Sequence, residues 1–562
     1  MNSKVSVMHH GGEILIHHLE IEGCDTVYCV PGESYLAALD GLHDTNRIQT
    51  VVCRQEGGAS MMAEAYGKLS GKPGVCFVTR GPGAANAMSG IHIAYQDSTP
   101  MILFVGMPPG QFRDREAFQE IDLRAIFGTT AKWVGVIDDV DRIGEYVSRA
   151  FATATSGRPG PVVLGLPEDM LADEGDKADK KPAPIVKSRP TADAIRQFGE
   201  ALASAERPLI IVGGPGWTAE TGHKMQTFAV RLNLPVAAAF RFQDYFDNRH
   251  QNYAGHVGIA INPKLAGHIR DSDLIIAMGP RLGEMTTSGY TLLKVPSPDQ
   301  KLVHIHPGPE ELGQVYCPEI AICASLSEFA DCLDDIELPG DPVWSAWTET
   351  LRADYEAHVQ PVETPGSLKM EQVVSYLSEV LDEDAIITNG AGNFTAWVHR
   401  YYRYRSYRTQ LAPTAGSMGY GLPAAVAAKV RHPDQQVICF AGDGCFMMTS
   451  QELATAVHYG LPIVIIIVNN QMYGTIRMHQ EKHFPERVIA TTLSNPDFAA
   501  FARSFGAEGI QISETREFRP ALQKALAAQK PTVIELLVSP EALTPTQTLS
   551  EIRSQSLEPK FD

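Results

Sequence analysis

Along this chain the apolar residues gather in short continuous runs, each closed by glycine, proline or asparagine and followed by a stretch with helical spacing. A short apolar run ending in turn residues predicts a buried strand, and strands that alternate with helices predict a parallel sheet covered on both faces. In the first third the pattern predicts strands at 25–30, 50–53, 75–79, 101–105 and 161–166. In the middle it predicts 209–212, 235–239, 274–278 and 303–306, and in the last third 385–388, 437–441 and 463–468. The fold class is α/β, built from doubly wound parallel sheets. A charged, proline-rich linker at 172–190 and an irregular stretch at 334–365 separate the segments.

One stretch organises the last third: VICFAGDGCFMMTSQELATAVHYGLPIVIIIVNNQMYG, from Val437 to Gly474. A strand breaks at Gly442-Asp443-Gly444, an amphipathic helix follows, and a second strand runs into Asn469-Asn470. Carboxyl ends of neighbouring parallel strands open into one crevice, so Asp443 and Asn470 are expected to face each other there. Both carry hard oxygen donors. The glycines permit close backbone approach to a ligand, and the free N–H groups of the next helix favour phosphate. Few protein oxygens beside a phosphate suit magnesium, which fills its octahedron with phosphate and water. A glycine turn with an asparagine cap explains an isolated Gly-Asp-Gly equally well; the strand, helix and Asn pair in register favour the ligand site.

The length of 562 residues exceeds what one core organises and gives a prior of about three or four domains. Hydrophobic content of 44% and charged content of 20% are those of a globular protein. No apolar run approaches the roughly 18 residues of a membrane span, and the start, MNSKVSVMHHGGEIL, lacks a secretory core. No membrane association and a cytoplasmic location are expected. Nine cysteines without C-x-x-C spacing predict reduced thiols. A net charge of −19 argues against nucleic acid as a partner.

Two loops in the first segment stand out. Arg54-Gln55-Glu56-Gly57-Gly58 places Glu56 at a strand-to-helix switch, either as a first-turn glutamate favoured by the helix dipole or as a buried carboxylate for proton traffic. Thr79-Arg80-Gly81-Pro82-Gly83-Ala84 is a second glycine-rich turn. In the middle segment nothing follows G-x-G-x-x-G in dinucleotide context, which counts against a flavin or nicotinamide oxidoreductase.

These motifs resemble those of thiamine diphosphate enzymes, closest to acetolactate synthase large subunit-like proteins, over nearly the whole chain. The Gly-Asp-Gly and the Asn pair are separated by the 24 residues 445–468, and Thr79 to Ala84 is followed by Asp97-Ser98-Thr99-Pro100-Met101, Phe118-Gln119-Glu120-Ile121-Asp122 and Gly157-Arg158-Pro159-Gly160-Pro161. The resemblance implies a pyrimidine-binding domain at 1–175, a central domain at 190–335, a diphosphate- and magnesium-binding domain at 365–545 and a polar tail at 546–562. It implies thiamine diphosphate and Mg2+, with Asp443, Asn470 and the carbonyl of Met472 as metal ligands. It makes Glu56 the partner of the cofactor's pyrimidine nitrogen and Met418 the apolar wedge beneath it. Gly392, Asn393, Gly416, Gly442, Gly444, Cys445, Tyr473 and Gly474 become cofactor-binding, Gln119 lies near the reacting carbon, and Phe118 shapes the pocket. In the family the domains carrying Glu56 and Asp443 come from different subunits, which implies a homodimer at least, with a homotetramer as the larger form.

The chain also departs from the family. A family H-I-D-I-D-P reads His304-Ile305-His306-Pro307-Gly308-Pro309, which puts FAD in doubt. R-F-D-D-R reads Arg281-Leu282-Gly283-Glu284-Met285, a pocket tryptophan is His479, and P-G-G reads Pro31-Gly32-Glu33. Arg281, Arg477 and His479 are the candidates to replace the lost carboxylate-binding arginine. No His-His pair occurs in the first domain, against a simple decarboxylase. The expected reaction is decarboxylation of a 2-oxo acid such as pyruvate and carboligation to a second carbonyl, giving 2-acetolactate or a related product. The alternatives are a 2-hydroxy ketone or 2-hydroxyacyl thioester lyase, a 2-oxo acid decarboxylase, the oxidoreductase, and a binding protein without turnover. Small 2-oxo acids, aldehydes or ketones are the expected partners.

Overall fold

The computed structural model describes residues 8–182 and 184–558. Residues 1–7, where the reading of the chain start falls, and 559–562 of the expected tail lie outside the described residues. Two compact units divide the chain, Met1–Val186 and Lys187–Asp562.

The first unit holds a parallel six-stranded sheet in the order Gln49–Val52, Thr26–Cys29, Gly74–Val78, Met101–Met107, Pro161–Pro167, Trp133–Val136. Numbered along the chain the order is 2-1-3-4-6-5, so a switch point lies between the strands that precede Pro31 and Thr79. The second unit holds two sheets. Its C-terminal sheet, Gln410–Leu411, Ile386–Asn389, Val437–Gly442, Val464–Asn469, Thr532–Leu537 and Glu508–Ile512, repeats the order 2-1-3-4-6-5. Its central sheet, Tyr253–His256, Val236–Ala238, Pro208–Val212, Leu274–Met278, Lys301–His306 and Ile320–Cys323, runs 3-2-1-4-5-6, an order common among nucleotide-binding folds. All three six-stranded sheets are parallel and flanked by helices, as the alternating pattern predicts.

Every predicted strand is present within two residues at each end. Six further strands complete the sheets. Five of them, Trp133–Val136, Tyr253–His256, Ile320–Cys323, Gln410–Leu411 and Glu508–Ile512, lie at sheet edges, where one side of the ladder is unpaired and the apolar run is short. The sixth, Thr532–Leu537, is interior but interrupted by Glu535, a buried carboxylate that accepts from Asn469 Nδ2 at 2.7 Å and the Phe498 amide at 3.1 Å. The strands that carry the Gly-Asp-Gly and Asn pair are apolar on both faces, and Ile438, Phe440 and Ile466 are fully buried in one cluster. Truncating such a side chain to alanine costs about 2–5 kcal/mol.

Three expectations change. The single helix after Gly444 is two, Asp443–Met447 and Glu452–His458, because Thr449 between them turns inward and donates from Oγ1 to the Gly419 carbonyl at 2.6 Å. The irregular stretch contains the helix Ser345–His358, and the preceding Trp344, 2% exposed, packs in the central core and donates to the Leu232 carbonyl at 3.0 Å. The stretch read as a polar tail carries the helix Leu549–Leu557, with Leu549 and Ile552 buried and Arg553 paired to Glu481. Its two apolar residues at helical spacing are too few to dominate a polar sequence.

The central and C-terminal sheets are joined by buried polar contacts. Arg241, left-handed at φ +67, donates to the Gly390 carbonyl at 3.0 Å and to the Pro413 carbonyl. Asp244 accepts from the amides of Thr409 and Gln410 at 3.0 and 3.2 Å, and burial pushes its carboxyl up to about 7. Arg241 thus fixes the loops that follow Ile386–Asn389 and Gln410–Leu411, and Asp244 fixes the start of Gln410–Leu411.

Candidate active site

Five loops at the carboxyl ends of the C-terminal strands line a cavity of about 590 Å³. Its walls include Gly392, Asn393, Gly416, Met418, Gly442, Asp443, Gly444, Cys445, Asn470, Met472, Tyr473 and Gly474. Every metal- and cofactor-binding residue read from the last third of the sequence is therefore in one place. The loops are cross-tied. Thr475 Oγ1 donates to Asn393 Oδ1 at 2.8 Å, and the Gly419 amide donates to Cys445 Sγ at 3.2 Å. Cys445 is a packing thiol, buried at 2% exposure and raised by that burial above its usual range. Met418 is half-buried and packs against the C-terminal core.

Asp443 is 3% exposed. Burial raises its carboxyl above the usual range, opposed by hydrogen bonds from the Gly444 amide at 2.9 Å and Asn495 Nδ2 at 2.7 Å. The second strand ends in a tight reversal: Asn469 Oδ1 accepts from the Gln471 amide at 3.1 Å, and Gln471 is left-handed at φ +57. Asn470 Oδ1 accepts from the Met472 amide at 3.2 Å. Met472 bridges antiparallel to Thr492, through Tyr473 N to Thr491 O at 2.9 Å and Leu493 N to Gln471 O at 2.8 Å. That pairing leaves the Met472 carbonyl outside its two hydrogen bonds. At Gly444 a Cβ would stand 2.4 Å from the Tyr473 ring, so a larger residue there would displace that ring. The sequence reading missed Asn495 and Glu535, which orient Asp443 and Asn469; Asn495 opens an Asn-Pro pair that marks a turn but not a partner, and Glu535 lies inside a strand.

In the first unit Glu56 opens the helix Glu56–Ser70 and accepts from Asn86 Nδ2 at 2.9 Å. In the single chain it is half-buried, at the first position of its helix. Phe118 is 69% exposed, and Gln119 is half-buried and left-handed at φ +60. The Gly81 amide donates to the Gln119 carbonyl at 2.9 Å, which fixes that loop on the glycine-rich turn. Two other motifs act as anchors. Asp97 pairs with Lys68, Thr99 Oγ1 donates to Glu64 at 2.7 Å, and Arg158 donates to the Tyr95 carbonyl at 2.7 Å and Ser98 Oγ at 2.9 Å.

The three candidate carboxylate binders lie outside the cavity walls. Arg281 Nε donates to Glu311 at 2.8 Å, Arg477 pairs with Glu481 at 2.9 Å, and the His479 ring stacks on His483 with centroids 6.1 Å apart. His304 and His306 are buried in their strand. His304 lies 3.0 Å from the Pro280 carbonyl, with burial pushing it down to about 4, and His306 Nδ1 accepts from the Gly308 amide at 3.0 Å.

Repeated sheets with a Gly-Asp-Gly and an Asn pair on one cavity define a diphosphate-binding enzyme class, and the comparisons with known proteins agree. Residues 9–126 match the thiamine pyrophosphate enzyme N-terminal TPP binding domain, 195–333 the central domain and 390–536 the C-terminal TPP binding domain. The chain belongs to the thiamine pyrophosphate enzyme family. Within it, the chain is similar to the acetolactate synthase large subunit of Parasynechococcus marenigrum, 32% identical over 544 residues, covering 94% of this chain and 87% of the relative. It is 31% identical over 536 residues to that of Haemophilus influenzae, covering 93% of each chain. To the isozyme 2 large subunit of Escherichia coli it is 28% identical over 534 residues, covering 94% of this chain and 95% of the relative.

Proposed function

We propose that the chain is a thiamine diphosphate-dependent carboligase that decarboxylates a 2-oxo acid such as pyruvate and joins the remaining fragment to a second carbonyl compound. The observation that carries this reading is the donor set of the cavity: the Asp443 carboxylate, the Asn470 amide oxygen and the Met472 carbonyl beside the glycines 392, 416, 442 and 444. One charged and two neutral oxygens leave the remaining positions of a magnesium octahedron for diphosphate and water. Similarity to acetolactate synthase large subunits over most of the chain supports the carboligation.

Bound thiamine diphosphate supplies a carbon nucleophile and an electron sink. The chain's part is to hold and exclude. Asp443, Asn470 and Met472 would hold Mg2+, Asn393 and Gly392 would bound the diphosphate, and Met418 would support the cofactor's bend. Glu56 would hold a proton at the pyrimidine nitrogen, with Asn86 fixing its carboxylate. Gln119 and Phe118 would border the reacting carbon. The reading includes a homodimer at least, or a tetramer; the exposed Phe118, Ile476, Phe484 and Ile489 support association. It also includes a cytoplasmic location, which nine free thiols favour; no helix among the described residues is long and apolar enough to cross a membrane. FAD is left out, because His306 and Gly308 stand at the two acidic positions of the family's nucleotide motif and Arg281 is spent on Glu311. Titration of thiamine diphosphate with Mg2+, followed by circular dichroism, tests the reading: saturable binding abolished by Asp443→Ala supports it, and unchanged spectra refute it.

A further inference from the structure

The cavity that contains Asp443 is also lined by Trp397 and Arg400 of the helix Thr395–Tyr401 and by His358, which ends the helix Ser345–His358. Arg400 is only 8% exposed. Its Nε donates to the His358 carbonyl at 2.8 Å, and its Nη1 is buried without a hydrogen-bond partner. Trp397 Nε1 and His358 Nε2 are buried and unpartnered as well. Three residues that line one cavity thus each carry a buried, donor-capable nitrogen that nothing from the protein receives.

A guanidinium out of water needs an anion or a full set of hydrogen-bond acceptors. The chain supplies an anion for several half-buried arginines: Glu311 for Arg281, and Glu481 for both Arg477 and Arg553. Arg241, the other guanidinium of the cavity wall, is spent on the Gly390 and Pro413 carbonyls. Among the described residues no carboxylate forms an ion pair with Arg400; desolvation lowers its proton affinity, and Tyr401 is the sole opposing influence. Planar, bidentate pairing is what a guanidinium offers to a carboxylate.

We propose that Arg400, assisted by Trp397 Nε1, receives a carboxylate carried by the substrate at the end remote from its reacting carbon. This rests on the carboligase reading and narrows its substrate class: a 2-oxo acid with a second, distal carboxylate is preferred over its monocarboxylic counterpart. Ile261, Pro263 and Met370 line the same cavity and accommodate the intervening methylenes.

Calorimetric titration of the protein, loaded with thiamine diphosphate and Mg2+, with succinate, glutarate and adipate tests this against the monocarboxylates of equal length. At least one dicarboxylate is expected to bind ten- to a hundredfold more tightly than its monocarboxylate. Arg400→Gln should bring that ratio close to one, and Arg400→Lys should retain part of it. Equal affinity of each pair in the wild type, or an unmoved ratio in Arg400→Gln, overturns the proposal. Should Arg400→Gln not fold, Trp397→Phe is the second variant, and an unmoved ratio there contradicts the assisting role. If cofactor binds and pyruvate releases carbon dioxide but no dicarboxylate is preferred, this inference alone fails. If the cofactor does not bind, the carboligase reading fails instead.

Discussion

Asn495 donates from Nδ2 to Asp443 Oδ2 at 2.7 Å and, from the same nitrogen, to Asn469 Oδ1 at 3.0 Å. One amide thereby fixes the carboxylate at the end of one strand to the Asn pair at the end of its neighbour.

Asn495→Ala should therefore leave the fold intact and misplace Asp443. Loss of an outer-shell partner of a metal ligand typically weakens metal binding about 10–100-fold. Magnesium titration of the cofactor-dependent signal checks this, and an apparent affinity within twofold of wild type would show that Asn495 does not position the ligand.

Asp443→Ala removes the charged member of the donor set. A ligand at 100 times its dissociation constant stabilises by about 2.7 kcal/mol. The rise in melting temperature on adding thiamine diphosphate and Mg2+ should vanish in the variant, whereas an unchanged thermal shift would sink the metal assignment.

Glu56→Gln keeps shape and the contact with Asn86 while removing the carboxylate. Cofactor binding should persist and turnover should fall by about 10²–10⁴, the usual span for a group that moves a proton. Exchange of the thiazolium proton, followed by NMR, is the readout; a near-normal rate refutes the role.

Most of the fold was legible because parallel strands buried on both faces read as continuous apolar runs. Edge strands such as Ile320–Cys323 were not, since they are short and half-covered. The site split in the same way. Asp443, Asn470 and the glycines announce themselves by lying at strand ends in turn-forming motifs. Asn495 and Glu535 act through contacts with residues far along the chain, and Arg400 is conspicuous only once its surroundings show no carboxylate. Arg281 illustrates the reverse error, since its charge is visible in sequence but its partner Glu311 is not.

Acceptor choice follows from the same residues. Met285 stands where the family carries an arginine, and Arg281 and Arg477 are both paired to carboxylates. Hydrogen bonds to charged groups contribute about 1.5–3 kcal/mol, roughly 10–150-fold. Selectivity for 2-oxobutyrate over pyruvate as acceptor should accordingly be weak. Product ratios from a mixture of the two decide it, and a strong preference for 2-oxobutyrate would mean that Met285 does not have this effect.

The most direct test of the central claim is to incubate the purified protein with pyruvate, with and without thiamine diphosphate and Mg2+, and to follow carbon dioxide release and carboligation product together by NMR. Carbon dioxide and a new carbon–carbon bond, both dependent on added cofactor, are the predicted result. Bound cofactor with no carbon dioxide released from pyruvate or any other 2-oxo acid would contradict it.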